Sequence, residues 1–220
     1  MPESSILALT ESILGVIGAG IGFSVGYIAL KGYRETGSPA FLRLAAAFFM
    51  LFVGFLVSAL VGSSVVETSP GTPILLMLIP AQILPLLIVA AASFEAVGYF
   101  FLAFSHVVNV RAGGALPLLF IPLFTVEAAL KSLSMYFLFY GFLETTIGYL
   151  KSRRAVTLGI AIGLGLLGFG ELLRWMVFLF PPGDALLAAS VGFKVSGLST
   201  LLVPVLQFAL RQDTEKMIHV

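Results

Sequence analysis

The stretch from Gly113 to Leu150, GGALPLLFIPLFTVEAALKSLSMYFLFYGFLETTIGYL, decides the fold by how it divides. A helix crossing ~30 Å of hydrocarbon needs roughly 20 apolar residues. This run is too long for one ordinary span and just long enough for two tight ones. Its least apolar part is Glu127-Ala-Ala-Leu-Lys131-Ser-Leu-Ser134, and a turn is expected there. The division predicts short helices at about 113–130 and 133–150.

Outside this run the apolar spans are plain. They lie at about 12–30, 41–62, 79–105, 155–180 and 185–210, which predicts an all-α membrane protein of seven transmembrane helices. Composition agrees. Of the 220 residues, 59% are hydrophobic and 10% are charged, against about 25% charged in an average soluble domain. So few charges cannot coat a globule with a hydrated surface, and so apolar a chain does not stay disordered. A soluble domain and a disordered chain are both excluded.

The charges test the division of 113–150. With seven spans and the N-terminus outside, the cytoplasmic segments hold Lys31, Arg34, Arg43, Arg111, Lys151, Arg153, Arg154, Arg211 and Lys216. Lys131 and Arg174 fall outside, together with Glu3, Glu11, Glu67, Glu127 and Asp184. This is the positive-inside pattern, with the C-terminus cytoplasmic. One long helix over 113–150 would carry Lys151, Arg153 and Arg154 outside and erase the bias. The reading is a multi-pass protein of the cell membrane whose first partner is the lipid bilayer.

Several chemistries are excluded by count. There is no cysteine, so disulfides, thiolate metal sites and thiol catalysis are out. The two histidines, His106 and His219, supply neither a bis-histidine haem nor a His-rich metal site. No metal is expected. A net charge of +1 draws no nucleic acid. The start, Met1-Pro-Glu-Ser-Ser5, is acidic and Glu11 interrupts the first apolar stretch. A cleaved signal peptide starts basic, so this segment is expected to be retained.

Breakers punctuate the chain. Ser69-Pro-Gly-Thr-Pro73 and Pro181-Pro-Gly-Asp184 close external loops, Gly113-Gly114 opens the fourth span, and Asp184 suits the N-cap of the last helix. Pro80, Pro85, Pro117, Pro122 and Pro204 fall within predicted spans. They mark kinks, tolerated in lipid where neighbours satisfy the freed carbonyls, and could line a cavity.

A faint repeat runs through the chain. Aligning Gly32-Tyr33 with Gly148-Tyr149 also pairs Leu42 with Leu158, Ala45 with Ala161, Leu51 with Leu167, Gly54 with Gly170 and Leu56 with Leu172. A second offset pairs Phe94 with Phe193, Gly98 with Gly197 and Leu102 with Leu201. These offsets predict a parallel 3+1+3 duplication: residues 1–108 as one three-helix repeat, 109–131 as a linker span, and 132–220 as the second repeat with a short cytoplasmic tail. The first corner, Leu30-Lys-Gly-Tyr-Arg-Glu-Thr-Gly-Ser38, resembles a sequence style of uncharacterised archaeal multi-pass families with such a repeat. The resemblance covers the first two spans and their repeat and implies no activity. Physically, Tyr33 suits the headgroup level while Lys31, Arg34, Arg43, Lys151, Arg153 and Arg154 suit anionic lipid heads.

Gly18, Gly22 and Gly26 recur every four residues on one face of span 1, and Gly159 and Gly163 do the same in span 6. Such faces let a partner backbone approach closely. The partner is either a helix of this chain or another subunit, including a second copy.

Four ionisable residues remain at membrane depth: Glu95, Glu144, Glu171 and Lys194. Such residues face the bundle interior and find partners. The second repeat offset maps Glu95 onto Lys194, which predicts similar depth and a buried pair. That pair could fix helix register, relay protons or ions, or anchor a ligand. Alternatively, Lys194 snorkels outward. Glu171 and Arg174, three residues apart, suit a local pair, and Glu144 could reach Lys151 or headgroups. A lysine in span 7 with a carboxylate in span 3 resembles the microbial rhodopsin arrangement. That resemblance implies retinal as cofactor, with Lys194 forming the Schiff base and Glu95 as counter-ion. The tryptophan sandwich around retinal has no counterpart, since Trp175 stands alone near a helix end. The small sugar transporters share the 3+1+3 plan, but their Pro-Gln dipeptide is absent here.

Function classes follow. The short loops and glycine faces suit a non-catalytic subunit or scaffold of a larger membrane complex. The Glu95–Lys194 pair and the kinked spans suit a transporter or a proton or ion conduit. The rhodopsin-like layout suits a retinal protein. An enzyme is not expected, because no His-Glu-x-x-His, paired aspartates or Ser-His arrangement stands at membrane depth.

Overall fold

Between Val126 and Tyr140 the chain has neither proline nor glycine, so no residue there disfavours a helix on backbone grounds. In the computed structural model the helix runs straight through. The structure describes residues 2–65, 82–105, 126–177, 179–180 and 184–218. They form six helices and no strand: α1 (Pro2–Thr36), α2 (Pro39–Val65), α3 (Leu84–Ser105), α4 (Val126–Ser152), α5 (Ala155–Val177) and α6 (Asp184–Ile218).

The expected turn at Glu127–Ser134 is therefore corrected. These residues are the first turns of α4, and the expected boundary between linker span and second repeat, at 131/132, falls inside that helix. The physical reason is that Lys131 is buried rather than at the outer surface where it was expected. A lysine with a carboxylate partner inside the bundle needs no turn to bring it to water. Most of the expected fourth span, 113–125, lies outside the described residues, as do Pro80, Pro117, Pro122 and the loop at 69–73. Pro85 sits in the first turn of α3, where its missing N–H is harmless, and Pro204 lies inside α6. α1 and α6 both outrun the predicted spans, each reaching 35 residues.

The helices close into a ring, each packed on the next and α6 packed on α1. Five of them are long and apolar enough to cross a membrane: α1, α2, α3, α5 and α6. This fits a multi-pass membrane protein. α4 carries Glu127, Lys131 and Glu144 and completes the ring between α3 and α5. The polarity is inside-out. Val16, Phe23, Leu86, Leu143, Phe169 and Val203 face outward, while Glu95, Lys131, Glu171 and Lys194 are buried. Most hydroxyls bond within their own helix, as a lipid-facing helix requires. Ser93 donates to the Val89 carbonyl and Thr145 to that of Gly141. Ser12 instead crosses to the Ala59 carbonyl and Ser190 to that of Gly170.

Helix direction follows from contacts at two levels. Lys131 meets Glu95, and a Cβ at Gly141 would meet Ala103, so α3 and α4 run in the same direction. α1 and α6 are also parallel, lining the same charged cavity near Gly15 and Lys194 and the same apolar cavity near Ile28 and Pro204. Two tight corners share one end of the ring. Gly37 and Arg153 both have positive φ, 66° and 53°. Their N–H groups donate to the carbonyls of Tyr33 and Tyr149, each at 2.7 Å, capping α1 and α4 in the left-handed manner. Lys31, Arg34, Arg43, Lys151, Arg153 and Arg154 are exposed around these corners.

Glycine sets the closest approaches. The Gly18, Gly22 and Gly26 face is turned to α2 of the same chain, against Phe55, the Phe52 backbone and Phe49. A Cβ at Gly54 would come 2.9 Å from Glu95 Cγ, and one at Gly170 would come 2.8 Å from Lys194 Cγ. Around Gly20 and Gly192 there is open space. Gly170→Ala should therefore destabilise the protein by about 1–3 kcal/mol through overpacking, while Gly192→Ala leaves it within about 0.5 kcal/mol. Thermal unfolding in detergent reads both; equal effects would remove the close-approach account.

Candidate functional site

Four side chains from four helices meet near the axis of the ring. Glu95 (α3) accepts from Lys131 Nζ (α4) at 2.5 Å and from Lys194 Nζ (α6) at 3.4 Å, both on Oε2. Its Oε1 accepts from the Ser58 hydroxyl (α2) at 3.2 Å. Glu171 (α5) lies 2.6 Å from Lys194 Nζ through Oε1 and 4.0 Å from Lys131 Nζ through Oε2. The pairing is thus crossed: each lysine faces both carboxylates. Residual exposures of 2% for Glu95, 4% for Lys131, 0% for Glu171 and 7% for Lys194 place all four away from solvent. Lys194 also stands 6.0 Å from the centre of the Phe55 ring, within cation–π range.

Local structure explains how long charged side chains reach this point. Gly54 and Gly170 let α3 and α6 press against α2 and α5 at the level of Glu95 and Lys194. Ser190 Oγ, one turn before Lys194, holds the Gly170 carbonyl at 2.8 Å, and Glu171 is the next residue. A small cavity of about 40 Å³ opens beside the cluster, lined among others by Ser58, Glu95, Lys131, Arg174, Ser190 and Lys194. That volume holds a water-sized guest.

One to two turns further along the ring lies an apolar layer of Leu51, Tyr99, Leu167 and Leu198, all with 0% exposure. The Tyr99 hydroxyl is buried and faces the Glu171 carboxylate of the cluster. Beyond it, towards the two corners, an apolar cavity of about 190 Å³ is lined by residues that include Ile28, Phe48, Leu102, Ile160, Leu201 and Pro204. The axis is therefore charged at one level, sealed below it, and open and oily at the next.

The structure brings together Glu95, Glu171 and Lys194 of the residues singled out from sequence. Glu144 is not with them. It is exposed on α4, 13 positions beyond Lys131, or about 20 Å along a helix rising 1.5 Å per residue. The expected local pair of Glu171 with Arg174 is corrected, because the Glu171 carboxylate is met by lysines from α6 and α4. Burial explains the choice: two long side chains reach the axis from neighbouring helices, whereas Arg174 lines the cavity one turn further along α5. Sequence reading missed Lys131, Arg174, Ser58 and Tyr99 as site residues. Lys131 was within reach of it, since an unbroken helix through 126–140 puts Lys131 in the membrane. The Lys194 ammonium is met by two carboxylates, and Lys194 does not line the apolar cavity. Nothing in this geometry supports a bound polyene there.

Comparison with protein-family models, curated proteins and solved structures finds no match. The site has to be read from its own chemistry.

Removing one partner of a buried charge pair leaves the other uncompensated, at about 3–5 kcal/mol. Glu171→Ala and Lys131→Ala should each lose that much stability. Glu144→Ala, on an exposed surface, should stay within about 0.5 kcal/mol. Denaturation in detergent checks this, and a tolerant Lys131→Ala would show that the lysine is not an internal ion.

Proposed function

We propose that this protein is a membrane transporter or a proton or ion conduit, worked by the Glu95–Lys131–Glu171–Lys194 cluster. The observation that carries the reading is the cluster itself: two acids and two bases held by four helices on the axis, beside a water-sized cavity. A purely structural fastening does not need this. Well-packed apolar residues of similar volume usually hold a core as well as a buried ion pair does, or better. Ionisable groups at membrane depth are most often found on ion and proton pathways. The crossed pairing gives each lysine a second carboxylate within 4.0 Å, which is what a relay uses. The Leu51–Tyr99–Leu167–Leu198 layer then serves as the gate between the cluster and the cavity on the corner side.

The topology belongs to the same reading. We infer seven crossings with the N-terminus outside, a cytoplasmic pair of corners, and a parallel duplication of three helices. The parallel course of α3 and α4 supports the odd crossing number, because Ser105 and Val126 then stand at opposite ends of the ring. The matching caps at Gly37 and Arg153, and the matching approaches of Gly54 to Glu95 and Gly170 to Lys194, support the duplication. The exposed basic corners support the orientation. A subunit role in a larger complex has weaker support, since the glycine face of α1 is spent on α2.

The absence of native cysteine makes the orientation easy to test. Single cysteines at Gly37 and Arg153 should both react with an impermeant thiol reagent only after cells are opened, and one at Phe180 should react on intact cells. Labelling of the two corners from opposite sides would overturn the topology.

For the activity, purified protein in liposomes should carry protons or small ions under an imposed gradient. Glu95→Gln and Glu171→Gln should return flux to the level of protein-free vesicles, while Leu167→Ala should raise it by opening the layer. Wild-type flux no greater than that of empty vesicles, for protons and for common inorganic ions alike, would defeat the proposal.

A further inference from the structure

The cavity beside the cluster has a charge of its own. Its wall includes three cationic side chains, Lys131, Arg174 and Lys194, and one carboxylate, Glu95. Glu171, the second acid of the cluster, does not line it. It holds Lys194 from the α5 side at 2.6 Å. Glu95 is already committed: Oε1 to Ser58, and Oε2 to Lys131 and Lys194. Among the described residues the cavity face of the cluster therefore carries three cations against one carboxylate, although the cluster of four is neutral.

Donors are in excess as well. An ammonium carries three N–H groups and no acceptor. Among the described residues Lys131 makes one hydrogen bond, to Glu95, with Glu171 at the longer distance of 4.0 Å. With 4% exposure, its remaining N–H groups have no bulk water to bond. Buried donors without acceptors are costly. Arg174, half-buried and engaged elsewhere as well, adds its fixed charge to the same space. A guest that accepts hydrogen bonds, carries negative charge and fits about 40 Å³ meets all three conditions. Water meets two of them. Large organic anions such as gluconate do not fit.

We propose that this cavity is an anion site that takes a chloride-sized inorganic anion between Lys131, Arg174 and Lys194. The proposal rests on reading the cluster as a working ion site and names the class of ion. Glu95 sets the affinity from behind the lysines: it holds them in place and, as a neighbouring negative charge, keeps the anion exchangeable. Phe55 closes the space beside Lys194.

The test uses the full-length protein in detergent at constant ionic strength, with gluconate replaced stepwise by chloride, bromide or nitrate. Binding is read by chloride NMR line broadening and by the shift in thermal unfolding. The expected result is saturable binding of chloride and bromide, with gluconate inert. Arg174→Gln leaves the crossed lysine–carboxylate pairs intact and should weaken chloride binding about tenfold or more. Identical unfolding and no line broadening in chloride would overturn the proposal, as would unchanged affinity in Arg174→Gln. Vesicle flux separates this from the broader reading. Proton flux that persists in chloride-free gluconate, without any halide binding, sinks the anion site and leaves a proton conduit. Saturable halide binding with no flux of any ion keeps the site and sinks translocation.

Discussion

The Glu95 carboxylate is the joint on which the ring depends. Through its two oxygens it holds Ser58 of α2, Lys131 of α4 and Lys194 of α6, so four helices meet at one side chain. The partners are 37, 36 and 99 residues away in sequence. Apolar contacts between helices are nondirectional, and in lipid the hydrophobic effect does not favour one helix partner over another. An ionised group inside the bundle is different, because it demands a specific partner at a specific place. The crossed lysines then pull in Glu171 and with it α5. The order α3–α4–α5–α6 around the ring is thus tied to charge as well as to shape.

Glycine makes the charge placement possible. Gly54 faces the Glu95 Cγ and backbone N, and Gly170 faces the Lys194 Cγ and backbone N. At both places the small residue lets the opposing helix come in until its charged side chain originates near the axis. A methyl group at either position would push the charged helix outward and stretch every pair in the cluster. The packing of the hairpins and the electrostatics of the centre are one constraint seen from two sides.

Much of this was legible in the sequence. The apolar spans, the basic corners at 31–43 and 151–154 and the pairing of Glu95 with Lys194 follow from hydropathy, charge sorting and an offset in glycine and leucine positions. α4 was not legible as one helix, because a charged middle in an apolar run looks like a turn whenever the charges are assumed to seek water. Lys131 breaks that assumption by finding two carboxylates. Glu171 was assigned a neighbour on its own helix because sequence shows spacing along a helix and not the distance between helices. Tyr99 gave no signal, since a tyrosine in a phenylalanine-rich helix reads as filler until its hydroxyl is seen to be buried against Glu171.

The charges of the cluster do not follow the offset that aligns the two corners. Shifted by the same offset that aligns the corners, Glu171 falls on Phe55, Arg174 on Ser58 and Lys131 on Gly15. The close approaches between helices do recur at the aligned positions, at Gly54 and Gly170, at Gly98 and Gly197, and beside Leu51 and Leu167. α1 and α2 supply an uncharged wall of Gly15, Phe55 and Ser58, while α4 and α5 supply Lys131, Glu171 and Arg174 across from it. The ionisable groups of α3, α4, α5 and α6 thus stand around a small uncharged wall, and a polar cavity remains between them.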